Sequence, residues 1–500
     1  MQPHLPSADD AFTAALVHFS TTCDWLRNDA MDLAHPDIEQ HVLLASREIA
    51  RRMLQAHFDL RARRELDAPR PPDVAGDAQP CQQACNLDTI VGRVRVTRRA
   101  WKRNGAPTIR PLDAAVDLPR EVYSAGVRRF VCEQLADRSV ERCGEALGAM
   151  GIDVPRRQCE QLALRMAQDF DAFYREREPP ANDTAGDATL LVLSTDAKGV
   201  RMVPRALREA TRKAATREAA SAIRGDPMAA RQERPHDRRM AVVTAVWDQP
   251  RCVREASEIV EQFKPAAQRR GPRRALPRPQ NKRVAATVTN DQGTAIGAMF
   301  DEAQRRDPEH RRTWVVVIDG AETQADAVQR EADRVGVRVV IVLDLIHVLH
   351  YLWRAAIAIH GGTNATAERW VRTYVGKLLT RPVVDVVAGL RQSATLHAIT
   401  AARRAAVESC AAYLLARSGQ LDYASALREG LPIASGVIEG ACRSLVQDRM
   451  GITGARWTVE GAEAVLRIRA LIASGDWHAY CRFHLVKEHG RNYPPTQVAA

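Results

Sequence analysis

The sequence predicts an α/β core that carries a large all-α insertion and follows a mostly helical N-terminal region. Three observations predict it. From Thr313 to Leu349 (TWVVVIDGAETQADAVQREADRVGVRVVIVLDLIHVL) two runs, Trp314 to Ile318 and Val337 to Leu343, are too short for helices and too apolar for loops. Between them Gln324 to Val335 has helical spacing, with Gly336 where a helix C-terminus favours it. After Leu349 the chain reads as helices, through Tyr351 to Ile359, Ala365 to Leu379, Val383 to Leu390 and Ala401 to Leu415, until Gly430. Before residue 179 the periodicity is again mainly helical, punctuated by Pro-rich linkers.

Length and charge bound the function. At 500 residues the chain has room for roughly three domains at about 150 residues each. A net charge of +11 and a pI near 9.4, with arginines in clusters, favour a polyanionic partner such as nucleic acid, although a high-GC genome also inflates arginine. No secretory signal opens the chain, no apolar run spans a membrane, and the ten cysteines are scattered, so a reducing cytoplasm is expected. Only Cys81 and Cys85 lie close together. Their three-residue gap, with no second pair or His partner nearby, argues against zinc.

In chain order, residues 1–80 form a helical region whose main element is one long amphipathic helix from Ile38 to about Leu66, ended by the linker Asp67 to Pro80. Residues 81–178 form a basic hairpin and a helix-turn-helix-like region. Ile90 to Arg103 alternates as a strand or hairpin with one basic face. Three helices follow between Tyr123 and Tyr174, the third holding Pro155 in its first turn and Arg156 and Arg157 at its start. This spacing suits a DNA reader in the major groove, or an ordinary bundle with a solvated basic face. A second linker, Pro179 to Asp187, marks the main boundary.

Residues 188–348 form the core. Thr189 to Ser194 is a strand running into Asp196; Val200 to Val203 turns back beside it, and Met240 to Val246 completes a three-stranded antiparallel meander. Two basic segments interrupt this region, an insert at 204–239 and a loop at 264–283. The loop holds eight Lys or Arg, among them Arg269, Arg270, Arg273 and Arg274, and no acidic residue; it either tracks phosphates or is simply solvated. Residues 349–431 are the all-α insertion. Residues 432–500 bring a helix capped by Ser435 that bears Glu439 and Arg443, then a tail.

Strand, helix, strand units pair their strands in parallel and bind ligands beyond the strands' carboxyl ends, where Asp319 and Asp344 sit. Each Asp also has an ordinary reading as a helix cap. Three antiparallel strands, a helix, then two strands joined by a helix is the element order of the ribonuclease H fold, whose acidic residues lie on the first strand, after the fourth strand and on a later helix. Asp196, Asp319 and Glu439 fall at those places. Phosphodiester cleavage with two Mg²⁺ ions roughly 3.5 to 4 Å apart needs such hard oxygen ligands.

The motifs STDAKG (Ser194 to Gly199), VVIDG (Val316 to Gly320), DLIHVLHYLW (Asp344 to Trp353) and GVIEGACRSLVQDRMGITGARW (Gly436 to Trp457) resemble the ISKra group of bacterial insertion-sequence transposases, relatives of the Mutator-like DDE enzymes. The resemblance covers nearly the whole chain and is weak before Leu87. It implies that Asp196, Asp319 and Glu439 form a metal-binding catalytic triad for two Mg²⁺ (or Mn²⁺) ions, and that Asp344 and His347 form the family's supporting Asp-x-x-His signature. Ala197 stands where the family has Gly, which matters only if the backbone there needs a positive φ. Arg156, Arg157, Lys198, the arginines of the 264–283 loop, Arg443, Arg449, Arg456 and Trp457 are the expected DNA contacts; Trp457 reads equally well as core. The implied activity is DDE transposition: binding of terminal inverted repeats, Mg²⁺-dependent hydrolysis and strand transfer into target DNA, by a homodimer or larger assembly associated with the nucleoid. The alternatives are an inactive, domesticated transposase that only binds DNA, and a ribonuclease H-like nuclease.

Overall fold

The computed structural model describes residues 10–72, 74–179, 188–209, 211–213, 237–264, 274–452 and 454–494. Most of the basic insert at 204–239, and Arg269, Arg270 and Arg273 of the basic loop, lie outside the described residues. The chain divides into two compact units. The second is Arg177–Asp476, and the first combines the chain up to Glu176 with the chain from Trp477 onward. Among the described residues no helix is long and apolar enough to cross a membrane.

The first unit opens with α1 (Thr13–Arg27) and the long α2 (His35–Asp67), followed by the hairpin β1 (Gln79–Thr89) and β2 (Gly92–Lys102). The hairpin begins earlier than its apolar alternation suggests, because β1 is mostly polar; Cys81 and Cys85 are strand residues facing Ala100 and Val96. Along α2 the Gln55 amide engages both the N–H and the carbonyl of Arg95, and Glu65 accepts from the backbone N–H groups of Arg99 and Leu112. Helix side chains thus satisfy the free edge of β2. The basic face of β2 is largely neutralised within the unit. Arg93 pairs with Asp88 at 2.6 Å, Arg98 with Asp113 at 3.0 Å, and Arg99 donates to the carbonyls of Leu66 and Ala68.

After the short α3 (Pro111–Ala115) come α4 (Ala125–Asp137), α5 (Val140–Gly148), α6 (Arg156–Ala167) and α7 (Phe170–Glu176). Ser124 and Ser139 cap α4 and α5 by accepting from N–H groups three residues on, and Pro155 sits at the N-cap of α6. The third predicted helix is in fact two, broken at Gln168 and Asp169.

In the second unit five strands form one sheet in the order β5, β4, β3, β6, β7. β3 (Thr189–Arg201), β4 (Arg238–Pro250) and β5 (Gln280–Thr287) are antiparallel neighbours; β6 (Trp314–Ile318) and β7 (Val339–Leu343) extend the sheet in parallel. The predicted meander is corrected in two places. Val200 does not turn back but continues β3, and the third antiparallel strand starts inside the predicted basic loop, at Gln280. β5 is an edge strand, where exposed Lys282 and half-buried Arg283 are tolerated.

The sheet buries an apolar cluster on each face. α8 (Ala256–Gln262) follows β4. α9 (Gln292–Arg306) and α10 (Glu322–Val335), the latter closed by Gly336 at a φ of +72°, cover the face of Leu191, Leu193, Val316 and Ile318. The opposite face carries Val192, Val243, Val315 and Val317. It packs against the helical insertion: α11 (Leu345–His360), α12 (Ala365–Leu378), α13 (Val383–Leu396), α14 (Ala401–Ala416) and α15 (Tyr423–Arg428). α16 (Gly436–Ala441) continues through a π turn at Cys442–Gln447, and α17 (Val459–Ala473) closes the unit.

The last helix, α18 (Trp477–Asn492), belongs to the first unit rather than to the core. The Tyr480 and Phe483 rings lie 5.5 Å from Phe173, and Glu488 pairs with buried Arg128 at 2.5 Å.

Candidate functional site

The parallel register of β3 and β6 sets the site. Ser194 lies opposite Val317, so Asp196 and Asp319, each two residues further on, emerge side by side. Gln324, fully buried on the first turn of α10, holds the two strand ends together. Its amide N donates to the Thr195 carbonyl at 3.1 Å, and its amide oxygen accepts from Asp319 N at 3.1 Å. Gly320 follows at a φ of +84°, where a Cβ would come within 2.5 Å of Leu343 Cδ1 and 2.8 Å of Arg417 Cδ. Only glycine suits that turn.

Asp196 is buried within β3. Its Oδ1 accepts from Ala197 N at 2.6 Å, while Oδ2 accepts from the Cys442 thiol at 3.2 Å and lies 3.3 Å from Lys198 Nζ. Burial, then the adjacent Asp196 carboxylate, pushes the Cys442 thiol well up, so it remains a protonated donor. Ala197 is not among the residues with positive φ, so its Cβ costs nothing at that position. Asp319 is half-buried, and its Oδ1 accepts from Ala321 N at 2.9 Å.

The helical insertion docks onto these strand ends through side chains that meet backbone carbonyls. Tyr413 donates to Asp319 O at 2.8 Å and stacks on Tyr351 at 3.8 Å; Arg417 donates to Gly320 O, and buried Tyr423 donates to Leu343 O at 2.8 Å. These carbonyls would otherwise end the sheet unsatisfied.

Asp344 behaves as a cap. Its Oδ1 accepts from Ile346 N at 2.8 Å, starting α11, and its Oδ2 accepts from Ser435 N at 3.0 Å, at the start of α16. Burial raises its pKa, and nearby Glu439 pushes it the same way, against the two N–H donors and His347. One carboxylate therefore ties together the helix that presents His347 and the helix that presents Glu439.

No protein-family model and no curated protein matches this chain. The site is therefore read from its geometry. Among the described residues, one ligand atom each from Asp196, Asp319 and His347 lie within 4.8 Å of one another, and no other group of this kind occurs. The structure thus brings together both predicted aspartates and the predicted supporting histidine. Glu439 borders the group without entering it: it is exposed on the first turn of α16, near enough to disfavour ionisation of Asp344 and Cys442.

The expected DNA contacts fare unequally. Arg157 and Arg456 are exposed. Arg156 is ion-paired with Glu141 at 2.8 Å, Lys198 with Asp196, and Arg274 donates to Val253 O at 3.1 Å. Arg443 is exposed, 3.7 Å from Asp448. Arg449 is buried with its guanidinium 4.6 Å above the Trp457 ring, and the Trp457 backbone bonds to Arg201 and Val203 beside β3. Packing accounts for that pair.

Gln324, Cys442 and Tyr413 were not foreseen in the sequence. The only local signal was a Gln five residues after a strand-end Asp.

Proposed function

We propose that the chain is a metal-dependent DNA transposase of the DDE type, with a ribonuclease H-like core, that cuts phosphodiester bonds at transposon ends and joins the freed 3′-OH to target DNA. The observation that carries this reading is the convergence of Asp196 and Asp319 at the ends of adjacent parallel strands. Strand order and orientation support it, since three antiparallel strands followed by two parallel ones is the order that the ribonuclease H reading requires.

The donor set fits a divalent cation. Two carboxylates converge, and the buried Nδ1 of His347 has no hydrogen-bond partner. A bound Mg²⁺ or Mn²⁺ would supply charge neutralisation at the attacked phosphate and lower the pKa of the attacking water. Asp196 and Asp319 would hold the ion, Gln324 fixes their spacing, and Cys442 and Lys198 fix the Asp196 carboxylate. Glu439, exposed on a helix whose start is bonded to Asp344, lies outside the Asp196, Asp319 and His347 group; in this reading it is the third acidic residue of the set. The exposed arginines, Arg157, Arg443 and Arg456, suit phosphate contacts with double-stranded DNA, and a homodimer or larger assembly is the expected working form.

The test pairs cleavage with binding on DNA carrying the inverted repeats that this reading expects at the ends of the element. The unmutated chain should nick these ends with Mg²⁺ or Mn²⁺. Asp196→Ala should lose cleavage by about a thousandfold or more, several kcal/mol, while still binding the ends. End binding without metal-dependent cleavage by the unmutated chain would leave only a DNA-binding protein.

A further inference from the structure

The sequence pattern assigns the cation three carboxylates. The geometry points to a different third ligand: we propose that the His347 imidazole coordinates the ion held by Asp196 and Asp319, giving an Asp, Asp, His site that favours Mn²⁺ over Mg²⁺. The inference rests on the function proposed above for what the ion does there.

Distances carry the first step. Around one ion with bonds of roughly 2.1 Å, adjacent ligands lie about 3 Å apart and opposed ligands about 4.2 Å apart. Donor atoms of Asp196, Asp319 and His347 already lie within 4.8 Å of one another, so modest rotation of the side chains closes them on a single ion. Glu439 is not in that set.

The second step is independent of the cluster. His347 Nδ1 is buried and makes no hydrogen bond. A buried imidazole nitrogen without a partner is costly unless something absent from the polypeptide satisfies it. A cation ligated through Nδ1 would remove that cost.

The third step is rigidity. His347 sits on the first turn of α11, its N–H bonded to the Asp344 carbonyl at 3.0 Å, and the Asp344 carboxylate fixes this helix start against Ser435 at the start of α16. The ring is therefore presented by a fixed helix terminus. In this arrangement Asp344 positions His347.

Ligand chemistry then gives the selectivity. Imidazole adds little to Mg²⁺, which favours oxygen, and more to the later and softer divalent ions.

The experiment uses the full chain and Mn²⁺ alone, without DNA. Pulsed electron paramagnetic resonance should show ¹⁴N coupling to the bound Mn²⁺. That coupling should vanish in His347→Gln and persist in His350→Gln, the control for the neighbouring ring at 5.9 Å. Mn²⁺ affinity should weaken about tenfold or more in His347→Gln, with Mg²⁺ affinity changing less than about threefold. His347→Asp should reverse the preference toward Mg²⁺. Bound Mn²⁺ without nitrogen coupling in the wild-type chain, coupling that survives His347→Gln, or no Mn²⁺ binding would each overturn the inference. The wild-type spectrum needs no variant to fold. Nitrogen-coupled Mn²⁺ without DNA cleavage would sink the transposase reading alone; Mg²⁺-dependent cleavage without nitrogen coupling would sink the histidine ligand alone.

Discussion

Two acidic centres of the α/β unit are built in opposite ways. Glu302, on α9, is almost fully buried and meets Arg283 at 2.6 Å, Arg305 at 2.5 Å, Arg306 at 2.7 Å and Arg177 at 3.3 Å. Burial pushes its pKa up, but Arg283, Arg306 and Arg177 outweigh burial and bring it down to about 2. At the other centre two carboxylates, Asp196 and Asp319, converge, and among the described residues the ammonium of Lys198 is the cation paired with them. The first site is complete without any ligand. The second brings two carboxylates together with one ammonium, an arrangement that the proposed cation would complete.

That contrast can be broken by mutation. Glu302→Gln should be the most damaging change, at about 3 to 5 kcal/mol, because it strands several guanidinium groups; urea unfolding measures it. The acid limb follows in sign. The folded pKa of about 2 lies below the ordinary 4.5, so the stabilisation is full above about pH 4.5 and is lost as pH falls toward 2. Melting temperatures of the wild type should drop across that window, and Glu302→Gln should lack this component.

Asp319→Asn should behave differently. Without metal its stability should stay within about 1 kcal/mol of wild type, because one like charge of the pair is removed. With Mn²⁺ at a hundredfold excess over its Kd, the wild type should gain about 2.7 kcal/mol and the variant should not. A large metal-free loss in Asp319→Asn would make the pair structural and erase the distinction. Gly320→Ala should cost about 2 kcal/mol and lower metal affinity, since the strained turn sets the Asp319 direction. Tyr413→Phe should be mildest, about 1 kcal/mol for one hydrogen bond to the Asp319 carbonyl, read by thermal unfolding.

The parts of the molecule legible in sequence are those decided locally. β6, α10 and β7 follow from apolar run length and Gly336, and the helices of the insertion from their periodicity. β1 and β5 were hidden because edge strands are free to be polar: Gln79 and Pro80 read as the end of a linker, the rest of β1 up to Thr89 lacks the apolar alternation that marks a strand, and Lys282 with Arg283 reads as loop. α18 reads as a tail because its partners, Phe173 and Arg128, are more than three hundred positions away. At the site, the aspartates stood out as strand-end carboxylates. Gln324, Cys442 and Tyr413 did not, since each meets its partner across 129, 246 and 94 positions, and no periodicity encodes such meetings.

The most direct test maps where an ion binds. Fe²⁺ in place of Mn²⁺, with ascorbate and peroxide, cleaves the backbone near its own site, and mass spectrometry locates the cuts. The account predicts cuts beside Asp196, Asp319 and His347 together, suppressed by excess Mn²⁺ and lost in Asp196→Asn. Cuts confined to other segments, or unchanged by that substitution, would contradict it.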